Sequence, residues 1–196
     1  MFLGKWTLNA NDYRLVGAYD NYAMHQIVCE IFDTKTVKFD ISNQTNDMVT
    51  ILMQCDTNVV NIPTLGTFQC KELDLTKCGI GTYRIIVKLN AVKQHTIEGK
   101  KNKKKVPIVG EASITNWLMN NQSKWGIDIQ YVSVSPTVRT KAFKKKTNDL
   151  IVADWHEIDV ICNVADATMF QNMISSGIGS SRSLGCSMVK FFKLSN

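Results

Sequence analysis

Histidine occurs only three times in these 196 residues, as His25, His95 and His156, and no pair of them has the spacing of metal ligands. Carboxylates do not cluster beside them in the sequence, so a zinc or two-metal centre finds no support, and neither a metal nor a cofactor is expected. No GxSxG elbow is present, and no serine or cysteine nucleophile has a visible partner. The six cysteines form no CxxC pair and lie scattered through apolar stretches. Reduced, mostly buried thiols fit that pattern better than a disulfide framework. No run of eighteen apolar residues occurs and no cleavable leader pattern opens the chain, so a cytoplasmic protein with no membrane contact is expected. Nucleotide motifs are missing as well. Gly177, Gly179 and Gly185 frame a turn, Gly177-Ile178-Gly179-Ser180-Ser181-Arg182-Ser183-Leu184-Gly185-Cys186. A P-loop would need lysine and a hydroxyl residue where Cys186 and Ser187 stand, and a dinucleotide fingerprint would have to open a strand-helix-strand unit, for which too little chain remains.

What the chain does have is localised positive charge. The formal net charge is +6, yet Lys88 to Lys105 alone carries +6 and Arg139 to Lys146 carries +5, which leaves the other residues at −5. A mildly acidic body with two concentrated cationic segments reads as a polyanion contact surface, although either lysine run alone would pass for a solvated loop. The residues expected to touch nucleic acid are Lys100, Lys101, Lys103, Lys104 and Lys105 in the first segment and Arg139, Lys141, Lys144, Lys145 and Lys146 in the second. In the glycine turn, Arg182 is the cation placed to join them.

Apolar alternation predicts strands with one buried face. Phe2, Trp6 and Leu8 share a face of a first strand; a helix runs from an N-cap at Asp20 to Phe32; Val37 to Ile41 and Val49 to Cys55 alternate, and Thr67 to Leu73 supplies a fourth strand. Pro63 and Gly66 argue against a helix between the last two. From Tyr83 the order repeats: a strand to Ala91, a helix marked by Ile114, Trp117 and Leu118, a long hairpin of Ile129 to Phe143 with Leu150 to Val164, a helix behind Asp166, and a last strand over Leu184 to Leu194. Both halves approximate a strand-helix-strand-strand-helix-strand order. The expected fold is therefore α+β, two tandem ferredoxin-like units with antiparallel sheets, the first over 1–76 and the second over 82–196. Lys100 to Lys105 fall in the loop before the second unit's helix, and Arg139 to Lys146 at the tip of the long hairpin. Projecting cations suit double-stranded RNA, which is read largely through its phosphates and shape.

One histidine is placed for chemistry. His25 lies one turn after Tyr22 on the first helix, so both side chains leave the same face. An imidazole exchanges protons near neutral pH, and a phenol can orient a phosphate or an attacking hydroxyl. A helix-surface histidine beside a packing tyrosine is the plainer reading of the pair. His95 and His156 read as structural.

Taken together, Tyr22-Ala23-Met24-His25-Gln26, Lys105-Val106-Pro107 with Trp117-Leu118, and the turn from Gly177 to Cys186 make the chain resemble, over nearly its full length, the CasE-type endoribonucleases of the Cascade CRISPR system. The resemblance implies that His25 and Tyr22 are catalytic and that the glycine turn, with Gly177, Gly179 and Gly185, is a family signature. It implies metal-independent cleavage of CRISPR precursor RNA at the base of the repeat hairpin. The ribose 2′-hydroxyl attacks the adjacent phosphate, leaving a 2′,3′-cyclic phosphate and a 5′-hydroxyl, and the 3′ handle of the mature guide RNA stays bound in a single-turnover reaction. The implied partners are that RNA and other Cascade subunits, chiefly the backbone subunit at the 3′ end. A lysine or arginine should complete the site; Glu30 does not, and the sequence does not say which residue does. The rival readings are a catalytically inactive RNA-hairpin-binding subunit of the same kind of complex and a scaffold independent of RNA.

Overall fold

A computed structural model of the chain describes residues 1–45, 47–95, 104–144 and 149–195. β1 (Phe2–Asn9) turns Trp6 and Leu8 inward and Lys5 and Asn9 outward, the alternation of a half-buried strand. A short helix that the apolar pattern does not announce follows it, α1 (Ala10–Val16), capped by the Asn9 side chain and ended by Gly17. It buries no residue, so it leaves no periodicity to read. α2 (Asn21–Phe32) begins at the expected cap, where Asp20 accepts from the Ala23 N–H, and buries Ala23, Met24, Val28, Ile31 and Phe32. β2 (Lys38–Gln44), β3 (Met48–Cys55) and β4 (Thr67–Glu72) complete an antiparallel sheet in the order β2-β3-β1-β4.

That order is ferredoxin-like, with one departure: residues 56–66, between β3 and β4, form no helix. The connection packs against α2 instead, with the Val60 and Asn61 N–H groups donating to the Ile31 carbonyl and the Trp6 indole donating to the Leu65 carbonyl at 2.8 Å.

The second sheet has the same order with additions. β5 (Gly81–Leu89), α3 (Glu111–Asn121), β8 (Ile127–Val134), β10 (Asp149–Val164), α4 (Ala167–Ser176) and β11 (Lys190–Ser195) give the antiparallel order β11-β5-β10-β8. A hairpin of β6 (Val92–His95) and β7 (Lys104–Pro107) stands where a plain loop was expected. The long hairpin is also subdivided. β8 and β9 (Val138–Lys144) both pair with β10, but the chain leaves the ladder between them at Ser135 to Thr137, around Pro136. Buried His156 fills that break, with its Nδ1 2.8 Å from the Ser135 carbonyl and its Nε2 3.2 Å from the Thr137 hydroxyl, and is structural as expected.

The final strand starts at Lys190 rather than Leu184. Leu184 closes a short 3-10 turn that begins at Arg182, and 185–189 are irregular because Gly185 and Ser187 both take φ 80° and interrupt the extended run; Leu184 to Val189 are buried. All six cysteines are free thiols, and Cys55, Cys78, Cys162 and Cys186 are buried.

Each sheet backs its own apolar core, one around Trp6, Met24, Phe32 and Ile51, the other around Tyr83, Ile114, Ile158 and Phe170. Between them lies a charged seam. Asp40 of β2, 2% exposed, pairs with Lys88 of β5 and with Lys190 of β11, the latter at 2.7 Å. Lys38, also 2% exposed, reaches from β2 to the Ser175 carbonyl at the end of α4, 2.5 Å away. Burial holds its ammonium below the usual lysine range.

Candidate active site

The first turn of α2 is held from two sides. Asp20 uses one carboxylate oxygen to cap the helix, accepting from Ala23 N–H at 2.7 Å, and the other to accept from Phe143 N–H of β9 at 3.1 Å. On the other side, the Asn21 amide donates to the Leu184 carbonyl of the glycine turn at 2.8 Å. Tyr22 packs between the two, half-buried against Ala142, Ala153, Ile151 and Leu184. The sequence gives no hint of these clamps, because Asp20, Asn21 and their partners are 123 and 163 residues apart.

One turn along, His25 emerges into an open cleft of about 400 Å³ that it lines with Lys35, Gly179, Ser180, Ser181, Arg182 and Ser183. The imidazole is half-buried. Its ring lies 6.4 Å from that of Tyr22 at 26° and 6.1 Å from that of Phe39, and Nε2 is 3.6 Å from the Cys29 thiol. Burial holds its pKa below the ordinary histidine value, because desolvation favours the neutral ring. Tyr22 does not line the cleft. Its ring stands beside the imidazole on the helix turn that the Asp20 and Asn21 bonds hold in place. Lys35 is the lining cation that sequence reasoning missed; it lies beyond the C-terminus of α2, and only the fold brings it to the cleft.

The glycine turn forms the opposite wall. Gly177 has φ 77°, and a Cβ there would lie 2.4 Å from the Ser187 carbonyl oxygen and 3.0 Å from Lys38; at Gly179, with φ 87°, it would lie 2.7 Å from Leu89. Gly185 also takes a positive φ, 80°, beside Phe39. These glycines let the turn nest against β2 and β5, with Ser180 N–H bonded to Asn90 O at 2.9 Å and Ser187 N–H to Lys88 O at 2.9 Å. Arg182 is exposed, but one guanidinium nitrogen donates to the Ser176 carbonyl at 2.6 Å, which holds the side chain along the turn. The N–H groups of Gly179, Arg182 and Ser183 have no acceptor among the described residues.

Of the cations expected on the two hairpins, Lys100, Lys101, Lys103, Lys145 and Lys146 lie outside the described residues. Lys104 and Lys105 belong to β7, and Lys105 lines clefts on the second unit's side of the glycine turn. Arg139 is already engaged: it forms a two-point bond with Asp154 across the β9–β10 ladder, at 2.6 and 2.9 Å, which holds the Asp154 carboxyl below the usual carboxylate range. Lys141 and Lys144 are exposed on β9. Among the described residues, no three His, Cys, Asp or Glu side chains come together as metal ligands would.

The family model for CRISPR associated protein matches residues 1–190. No curated protein sequence matches the chain. Among solved structures, a CRISPR endoribonuclease Cse3 bound to 19 nucleotides of RNA superposes with a TM-score of 0.82 at 16% identity, covering 98% of this chain and 100% of that one. Cas6e from Escherichia coli K-12 superposes with a TM-score of 0.74 at 17% identity, over 99% and 100% of the two chains. A chain of a CRISPR RNA-guided surveillance complex in a pre-nicking state gives 0.75 at 14% identity, over 99% and 100%. The chain belongs to the CRISPR associated protein family, and its fold is that of Cse3 and Cas6e.

Proposed function

We propose that this member of the CRISPR associated protein family is an endoribonuclease that cuts CRISPR precursor RNA at the base of a repeat hairpin, without metal, and stays bound to the 3′ handle of the guide RNA inside a Cascade complex. The observation that carries the reading is a half-buried His25 that lines, together with Lys35 and Arg182, a cleft walled by the glycine turn. Similarity of fold to an RNA-bound Cse3 and to a surveillance-complex subunit supports the substrate class and the assembly.

The reaction follows from those groups. His25 accepts the proton of a ribose 2′-hydroxyl as that oxygen attacks the neighbouring phosphorus; a cyclic phosphate forms, the bond to the 5′ oxygen breaks, and the departing oxygen takes a proton from solvent or from the Lys35 ammonium. Lys35, Arg182 and the free N–H groups of Arg182 and Ser183 face the charge that gathers on the phosphate. Tyr22 acts as a positioning residue behind the imidazole. Lys104, Lys141 and Lys144, with the lysines that follow Lys144 in sequence, hold the duplex by its phosphates.

His25→Ala is the test. Cleavage of the repeat RNA from the same genome should fall by about a hundredfold or more, while hairpin affinity stays within about threefold and wild-type cutting persists in EDTA. Undiminished cutting by the variant, or a requirement for added magnesium, would overturn the assignment. Tight repeat binding with no cleavage by the wild-type protein would favour the inactive binding subunit instead.

A further inference from the structure

Three clefts meet at the glycine turn, and Ser180 lines all of them. The proposed reaction uses the one with His25. On the far side of Gly179 and Ser180 lies a second cleft of about 350 Å³, walled by Trp117 of α3, Trp125, Val92 and Gln94 of β6, Lys105 of β7, Asn121 and the backbone of Gly177 to Ser180. The two indoles stand 5.6 Å apart at 55°, both half-buried, so their rings serve the core on one side and the cleft on the other. Lys105 has no ion-pair partner among the described residues, and Gln94 is exposed beside it. Gly179, at the saddle between the two clefts, is exposed, and its N–H has no acceptor among the described residues.

We infer that this cleft is a subsite for one unpaired nucleotide of the substrate RNA, in the single-stranded flank next to the scissile phosphate. The inference rests on the RNA-processing reading above. An aromatic wall, a free cation and an uncommitted amide hydrogen are the three parts that a single-stranded nucleotide requires: a surface for the base to stack on, a charge for the phosphate and a donor for the sugar or base edge. Duplex RNA offers no splayed base to such a wall, so the occupant is unpaired. The saddle links the subsites directly, because Gly179 and Ser180 line both, and RNA crossing a residue that has no side chain passes from the His25 cleft into this one. Gln94 can pair with a base edge, whereas Asn121 is committed, its amide to the Trp117 carbonyl at 2.7 Å and its oxygen to Lys124 at 3.0 Å.

The test uses the full chain carrying His25→Ala, so that the RNA stays intact, and a repeat hairpin with single-stranded flanks in which each flank nucleotide in turn is made abasic. One position should weaken binding by roughly five- to a hundredfold, the range for loss of one base-aromatic stack. That sensitivity should disappear when Trp117→Leu is added, since leucine preserves packing against the core but offers no stacking face. Lys105→Ala, at an exposed position that does not endanger the fold, should weaken the flanked hairpin more than a flankless one. A flat abasic scan, equal sensitivity in the Trp117→Leu protein, or an equal Lys105→Ala effect on both RNAs would overturn the subsite while leaving hairpin binding intact. Failure of the wild-type protein to prefer the repeat over unrelated RNA would instead overturn the RNA-processing reading, and the subsite with it.

Discussion

The two ferredoxin-like units share a strand order but not a complement of parts. The first is pared down: it lacks a helix between β3 and β4, and its contribution to the candidate site is the helix that presents His25, with Lys35 just beyond. The second is elaborated, with β6–β7, the β9 extension and the glycine turn added to the same frame. His25 and the glycine turn thus come from different units, and the cleft they line lies where those units meet. The seam is held by charge and hydrogen bonds as well as by packing. A site assembled this way is only as well defined as the contacts that fix one unit on the other, and those contacts can be broken singly.

The largest break is at Asp40. Replacing it with alanine leaves Lys88 and Lys190 facing each other in a mostly buried seam with no counter-charge, and removing one partner of a buried ion pair costs about 3–5 kcal/mol. Urea denaturation of Asp40→Ala should show a loss of that size, together with lower cleavage even where the protein is folded, because the turn is no longer held opposite His25. A loss below about 1 kcal/mol, the scale of an exposed pair, would mean that packing alone sets the seam.

A smaller break separates the helix from the hairpin. Asp20→Ala removes both the cap of α2 and the bond to Phe143 N–H, and loss of such a cap typically costs about 1 kcal/mol. Asp20→Ser keeps an oxygen for the cap but has only one to give. If the tether to β9 orients His25, Asp20→Ser should retain most of the stability and still lose turnover. Equal activity of Asp20→Ser and wild type would show that Asn21 and the packing of Tyr22 suffice.

Much of this was legible in the sequence wherever local pattern carries structure. The α2 cap at Asp20, the alternation of β1, β3 and β5, and the missing helix near Pro63 all follow from short-range rules. What escaped was set by long-range contact. α1 buries nothing and so shows no period; Leu184 to Val189 looks like a strand because a plug buried between two units is as apolar as one; Lys35 joins His25 only through the fold. Arg139 was legible as a cation but not as one bonded to Asp154, because that partner comes from register in the ladder.

The smallest effect is a pH dependence that distinguishes the first unit's half-buried imidazole from the second unit's paired carboxylate. Burial lowers the pKa of His25 in the folded protein, while the unfolded chain keeps a value near ~6.5. Around it lie the Cys29 thiol, itself pushed up by burial, and the cations Lys35 and Arg182, and among the described residues none lining the cleft is an acid that would favour the imidazolium. Above the unfolded value neither state holds the proton and His25 leaves stability unchanged. As pH falls below it, the unfolded chain takes up a proton that the folded protein resists, and stability declines until the folded value is passed. Asp154, whose folded pKa is lowered mainly by Arg139, also loses its contribution on acidification, but only through the carboxylate range below about 4. Unfolding measured between pH 7 and pH 5 should therefore show a gentle decline that His25→Gln removes and Asp154→Asn does not. The rate of cleavage should fall on the acid side of the same window, as the imidazole that acts as base takes up a proton; a rate that rises there would overturn that role, which makes the sign of that limb the sharpest reading of what the first unit contributes.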